Sequence, residues 1–100
     1  MFKKLRYIKQ YFALRKSGLF DARFYMLTYP DVRRADVNPL WHYLVTGWRE
    51  YRDPSENFST ELYLTNNRDV ATSGVNPLYH FLKFGQKEGR LTVPAEKKSH

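Results

Sequence analysis

An internal repeat constrains the fold of this chain more than any other feature of its sequence. Residues 20–52 align without a gap on residues 58–90, at an offset of 38 positions, and 13 of the 33 aligned pairs are identical. The best-matched stretch reads VNPLWHYL at residues 37–44 and VNPLYHFL at residues 75–82. A repeat of this length is one supersecondary unit that buries its apolar face against its neighbour. We therefore expect two equivalent units, built by the residues that both share.

Each unit is predicted to contain short helices with well-marked ends. An Asn-Pro pair supplies an N-cap and a first helical residue in each unit, and Gly47 and Gly85 are expected to end the helix begun there. Pro30 should end an earlier helix near Tyr29. No stretch alternates at period two for long enough to be a strand, so the predicted fold class is all-α. The predicted N-caps are Asp21, Asp31, Asn38, Ser59, Asp69 and Asn76.

The sequence divides into four predicted segments. These are a basic N-terminal helix (1–19), a first unit (20–57), a second unit (58–90) and a flexible tail (91–100). The N-terminal helix carries two apolar stripes on nearly opposite faces. One stripe is expected to pack on the first unit, and the other stays available. The stripes consist of Phe2, Leu5, Ile8 and Phe12, and of Tyr7, Tyr11 and Leu14.

Positive charge is concentrated in the N-terminal helix. The chain has a net charge of +7, yet residues 20–100 are almost neutral, because their 11 basic side chains face 10 acidic ones. A basic arm of this kind favours contact with an anionic surface, and we expect the cytoplasmic membrane leaflet, with shallow insertion of Phe2, Tyr7 and Tyr11. The alternative is a solvated basic face on a helix that only covers the core. The six cations are Lys3, Lys4, Arg6, Lys9, Arg15 and Lys16.

Composition and motifs exclude several function classes. There is no cysteine, which excludes disulfides, thiol catalysis and thiolate zinc sites. No paired carboxylates, Ser-His-Asp set or glycine-rich phosphate loop occurs, so we predict no catalytic residue, no metal site and no cofactor. The apolar runs are too short for a membrane span, and the basic start lacks the apolar segment of a signal peptide. We expect a cytoplasmic location, at the inner membrane if the basic helix docks there.

Two polar features recur in both units and allow two interpretations each. His42 and His80 are either metal ligands or imidazoles packed inside their units and hydrogen-bonded to backbone carbonyls. The Glu-x-Arg sequence that ends each unit is either a ligand clamp or a lock for the preceding turn, with arginine bonding carbonyl groups. Because both features are repeated, we favour the structural interpretation for each.

Aromatic and cationic residues present only in the first unit are candidates for function. Exposed aromatics beside arginine suit a sugar ring, a phosphate or an aromatic partner. The alternative is that the tryptophans fill the space between the units or beneath the N-terminal helix. The candidate ligand or partner face consists of Trp41, Trp48, Arg49 and Tyr51.

The combined motif FDxxxY…PDV…NPLxHYLxxGxxE resembles a short tandem repeat attached to bacterial glycosyltransferases of surface-polysaccharide synthesis, and found in large secreted bacterial proteins. The resemblance covers residues 14–90 and includes the SGLFD sequence at 17–21, which often comes after a basic leader in those enzymes. Asp36 and Tyr51 stand where such repeats usually carry glycine, and Arg68 where proline is common. If those glycines are left-handed, the first unit must bend differently or carry modest strain.

The resemblance implies a non-catalytic interaction module. Its expected partner is a glycosyltransferase, other polysaccharide machinery or a glycan, and no catalytic residue carries over. The alternative is a small nucleic-acid-binding protein that uses the basic arm. The near-neutral units and the absence of a nucleic-acid-binding motif disfavour that alternative, and an enzyme is disfavoured by the missing catalytic groups.

Overall fold

The fold is all-α, as predicted. The computed structural model describes residues 2–94, with side chains from residue 5 onward, and this part of the chain contains no strand. The side chains of Lys3 and Lys4 and residues 95–100 of the predicted tail lie outside the described residues. The helices are α1 (Phe2–Ser17), α2 (Ala22–Thr28), α3 (Pro30–Arg34), α4 (Pro39–Val45), α5 (Thr60–Asn66), α6 (Arg68–Ser73) and α7 (Pro77–His80), with a 3₁₀ turn at Gly47–Glu50 and a π-helical turn at Phe81–Gly85.

Four of the six predicted N-caps are confirmed. In each case the side-chain oxygen of the cap accepts a hydrogen bond from the backbone N–H three residues later, at 2.9 to 3.2 Å. Such a bond satisfies one of the amide groups that the first turn of a helix leaves without a partner. The confirmed caps are Asp21, Asn38, Ser59 and Asn76.

The predicted caps at Asp31 and Asp69 are wrong. Helix α3 begins at Pro30 with Tyr29 as its cap, and no side chain caps it; α6 likewise lacks a side-chain cap. Both aspartates lie inside the first helical turn, where their charge suits the helix dipole. Each carboxylate instead pairs with an arginine at the end of its unit, where both members of the pair carry charge.

The turns of the two units bend in the same sense although their residues differ. Tyr51 and Asp36 adopt left-handed backbone conformations in the first unit, with φ of 62° and 55°. Gly89 and Gly74 occupy the aligned positions of the second unit, with φ of 67° and 76°. The first unit therefore keeps the backbone path and places residues with side chains in a conformation that favours glycine.

One hydrophobic core joins the two units and α1. Tyr25, Tyr43 and Tyr63 are fully buried within it, as is Leu14 from α1. Helix α1 packs on α4 and also on α7, so it covers both units rather than the first alone. The buried apolar residues are Leu14, Tyr25, Val32, Leu40, Tyr43, Leu44, Trp48, Phe58, Tyr63, Leu64, Val70 and Leu78.

A backbone hydrogen bond closes the start of each unit against a later loop. The Asp21 N–H donates to the Pro54 carbonyl at 2.9 Å, and the Ser59 N–H donates to the Thr92 carbonyl at 2.6 Å. Thr92 is buried as well. The flexible tail predicted from residue 91 therefore begins too early, because Thr92 belongs to the packed part of the second unit.

Candidate functional site

A tyrosine–histidine pair lies at the centre of each unit. The Tyr25 hydroxyl bonds His42 Nδ1 at 2.8 Å, and the Tyr63 hydroxyl bonds His80 Nδ1 at 2.8 Å. Burial lowers the pKa of both histidines and raises the pKa of Tyr63 to about 12. At neutral pH each bond therefore joins an uncharged hydroxyl to an uncharged ring. The predicted packing of the histidines is correct, but their Nδ1 partner is a tyrosine rather than a backbone carbonyl.

The tyrosine hydroxyl of each pair approaches a glycine so closely that a larger residue would not fit there. A Cβ atom on Gly47 would overlap the Tyr25 hydroxyl, and one on Gly85 would overlap the Tyr63 hydroxyl. Neither glycine has a positive φ. Gly47 begins the 3₁₀ turn that follows α4, and Gly85 is the last residue of the π-helical turn. Within residues 2–94 no group of three or more histidine or carboxylate side chains comes together to hold a metal ion.

The arginine that ends each unit binds carboxylates. Arg52 makes two hydrogen bonds to Asp31, at 3.0 and 2.8 Å, and pairs with Glu50 at 3.1 Å. The Arg52 side chain also stacks on the Tyr29 ring, and its bonds lower the pKa of the Asp31 carboxyl. Arg90 pairs with Glu88 in the second unit at 2.7 Å. Arg90 also donates to the side-chain carbonyl of Asn67 at 2.7 Å. These arginines lock the final turn as expected, although most of their partners are carboxylates rather than the predicted carbonyls.

The candidate partner face separates into two places. Trp41 lies beneath α1, where its ring meets those of Tyr7 and Tyr11 at centroid distances of 6.2 and 6.1 Å. Trp48 is 6% exposed, and the Arg49 guanidinium sits 4.6 Å above its ring centroid. Both tryptophans therefore fill structural positions, which was the alternative interpretation. Trp48 and Arg49 nevertheless border open space, whereas Trp41 belongs to the contact with α1.

An open groove runs between the two units. It has a volume of about 320 Å³, and Tyr51, Trp48 and Arg49 form the wall contributed by the first unit. Tyr51 is 58% exposed. We call this space the inter-unit groove; its opposite wall consists of Leu64, Thr65, Ala71 and Gly74.

A smaller space adjoins the inter-unit groove beneath α1, and we call it the polar cavity. It has a volume of about 250 Å³ and shares Trp48, Arg49 and Gly74 with the groove. Among the described side chains, no carboxylate lines it. Its remaining lining residues are Arg6, Tyr7, Gln10, Ser73, Val75 and Asn76.

Two buried polar atoms, on side chains of residues that line the polar cavity, have no hydrogen-bond partner within the described chain. These are Gln10 Oε1 and Asn76 Nδ2, on side chains of residues that are 6% and 3% exposed. In the first unit the corresponding amide has a partner, because Asn38 Nδ2 donates to the Tyr11 hydroxyl at 2.9 Å. Gln10 was not predicted from the sequence, although its helical spacing from Tyr7 and Leu14 places it on their inward face.

The outward face of α1 is apolar and basic together. Leu5, Ile8 and Phe12 are 62%, 44% and 55% exposed. Tyr7 and Tyr11 point into the core instead, so they cannot supply the shallow insertion that the sequence suggested. Among the α1 side chains that the structure describes, the exposed cations are Arg6, Lys9, Arg15 and Lys16.

Comparisons of the chain with protein-family models, with curated proteins and with solved structures found no match. Among the described helices, none is both long enough and apolar enough to cross a membrane.

Proposed function

We propose that this chain is a non-catalytic interaction module of bacterial surface-polysaccharide synthesis that docks on an anionic membrane face through α1. The repeat motif supports the biological setting, because it resembles modules attached to glycosyltransferases. The outward face of α1 supports the docking, and this face is the observation that carries the proposal. A module docked in this way holds a partner enzyme or its polymer close to the bilayer.

The outward face of α1 combines the two interactions that hold a peripheral helix on a membrane. Leu5, Ile8 and Phe12 gain about 25 cal/mol for each Å² of apolar surface that lipid covers. Each basic side chain near anionic lipid adds about 1 kcal/mol. The helix contains no acidic residue that would oppose this attraction. Lysine and arginine stems can also extend from the apolar face toward the headgroups.

The opposite face of α1 fixes the helix on the two units. Leu14 is fully buried, and Tyr7 and Tyr11 pack against the core. Because the inward stripe is used for folding, the outward stripe can meet lipid without unfolding the domain. The two stripes seen in the sequence thus have separate tasks.

Co-sedimentation with vesicles tests this function. The chain is mixed with vesicles of phosphatidylglycerol and phosphatidylcholine, or of phosphatidylcholine alone, at low and physiological salt. We expect binding to the anionic vesicles only, and weaker binding as salt rises, because exposed charges are screened. The triple variant Lys9→Gln, Arg15→Gln, Lys16→Gln should lose binding, and so should Leu5→Ser with Phe12→Ser.

A matched control removes three exposed cations from elsewhere on the surface. The variant Arg33→Gln, Arg34→Gln, Lys87→Gln has the same net charge as the triple variant of α1 and should still bind. If the wild-type chain ignores anionic vesicles at low salt, membrane docking is wrong. A gel shift with DNA or RNA at physiological salt in that case supports the nucleic-acid alternative.

A further inference from the structure

We propose that the polar cavity binds an anionic sugar, meaning a sugar unit that carries a carboxylate or a phosphate beside its hydroxyl groups. The cavity lies on the inward side of α1, away from the face assigned to the membrane. This inference therefore stands whether or not α1 docks on lipid.

The two unpartnered polar atoms point to a ligand with both donors and acceptors. Gln10 Oε1 is a buried acceptor and Asn76 Nδ2 is a buried donor, and neither has a partner within the described chain. Leaving such atoms unpaired is costly, and native proteins rarely do so without a reason. When the two amide groups turn toward the cavity, neighbouring hydroxyls of one sugar ring can donate to Gln10 and accept from Asn76. The first unit needs no such ligand, because Tyr11 already satisfies Asn38.

The charge of the polar cavity selects an anion. Arg6 and Arg49 line it, and no carboxylate of residues 5–94 does. A guanidinium group offers several N–H donors in a planar fork that matches a carboxylate or a phosphate. Arg49 is held 4.6 Å above the centroid of the buried Trp48 ring, which limits its motion before the ligand arrives. The two exposed arginines of this region thus form the charged end of the site.

The size of the polar cavity suits one sugar unit. Sites for drug-sized ligands usually measure about 300 to 1,000 Å³, and this cavity has a volume of about 250 Å³. The Tyr7 and Trp48 side chains give it aromatic walls on which the C–H faces of a sugar can pack. The adjoining inter-unit groove leaves space for the next unit of a polymer.

Calorimetric titration of the complete chain tests this site with four probes: glucuronate, glucose 1-phosphate, glucose and inorganic phosphate. We expect at least one of the two anionic sugars to bind. Glucose and inorganic phosphate should bind at least about tenfold more weakly, since each lacks one of the two sets of contacts. The relative affinity of the two anionic sugars tells whether the site prefers a carboxylate or a phosphate.

Two variants examine the two halves of the site. Arg49→Gln should weaken binding roughly ten- to a hundredfold, as is typical when a charge-assisted hydrogen bond is lost. Its control is Lys87→Gln, which changes an exposed cation at the aligned position of the second unit and should leave binding unchanged.

Gln10→Met should abolish binding of the sugar and leave the melting temperature of the free protein unchanged or higher, because it removes a buried unpaired acceptor. Tyr11→Phe disturbs only the cap of the first unit and should not affect binding.

Several results would overturn the assignment. It is wrong if neither anionic sugar binds at millimolar concentration, or if Arg49→Gln binds as well as the wild type. Equal binding of inorganic phosphate would reduce the site to an anion site without sugar recognition. A clear fall in the melting temperature of Gln10→Met would show that Gln10 is a structural hydrogen-bonding residue. Arg49→Gln should still bind anionic vesicles, so this test and the vesicle test can fail separately.

Discussion

The two units share their internal contacts and differ where they meet other parts of the molecule. Each holds a tyrosine–histidine hydrogen bond of 2.8 Å and a glycine beneath the tyrosine hydroxyl. At the junction, however, the Tyr43 hydroxyl hydrogen-bonds Thr60 of the second unit at 3.0 Å, whereas Phe81 has no hydroxyl at the aligned position. The comparison teaches that interior contacts specify the unit, while boundary residues adapt to the neighbouring segment of the chain.

The same difference appears at the asparagine caps. Asn38 and Asn76 accept the same helix-starting hydrogen bond, at 3.0 and 3.1 Å. The amide nitrogen of Asn38 donates to Tyr11 of α1, but that of Asn76 is buried without a partner in the described chain. Helix α1 thus contacts both units but supplies a hydrogen-bond partner only for the cap asparagine of the first. This unpaired donor of the second unit is one basis of the proposed sugar site.

The largest expected effect breaks the contact that both units share. Gly47→Ala should lower the free energy of unfolding by about 3 kcal/mol, because the new methyl group overlaps the Tyr25 hydroxyl. Gly85→Ala should cost a similar amount in the second unit. Urea denaturation monitored by circular dichroism measures both changes.

A second substitution tests the physical reason for that loss. Tyr25→Phe removes the hydroxyl, so the double variant Tyr25→Phe, Gly47→Ala should be more stable than Gly47→Ala alone. If the two losses simply add, the hydroxyl is not the cause of the clash.

A smaller effect should separate the two asparagine caps. Asn38→Ala should cost about 1 kcal/mol, because it removes the N-cap of α4. Asn76→Ala removes the same kind of cap and also a buried unpaired donor, so its cost should be lower. Thermal denaturation of the ligand-free variants measures the difference. An Asn76→Ala loss larger than that of Asn38→Ala would show that Asn76 Nδ2 has a partner in solution.

The smallest expected effect concerns the left-handed turns. Tyr51→Gly should raise the free energy of unfolding by about 0.5 to 1 kcal/mol, because glycine adopts a φ of 62° without steric cost. Asp36→Gly should raise it less, since aspartate tolerates this conformation better than tyrosine does. The reverse control, Gly89→Ala, should lower stability by about 1 kcal/mol. A destabilised Tyr51→Gly would mean that the tyrosine ring makes contacts that outweigh its backbone strain.

Sequence patterns predicted local features well and distant pairings poorly. The Asn-Pro pairs gave correct helix starts because a cap and the amide it satisfies lie only three residues apart. Asp31 was misassigned because its true partner, Arg52, is 21 residues away and lies in another turn. The partner of His42 was missed for the same reason, since Tyr25 precedes it by 17 residues.

The sequence by itself determined the all-α class, the positions of four helix caps and the concentration of cations in α1, because these depend on composition and on neighbours along the chain. It could not choose which stripe of α1 faces inward, since both stripes are apolar. Packing made that choice by burying Leu14, leaving Leu5 and Phe12 outside and enclosing Gln10. The inter-unit groove and the polar cavity likewise exist only in the tertiary structure, because their walls come from α1, the 3₁₀ turn, α5 and α6, which lie in separate parts of the sequence.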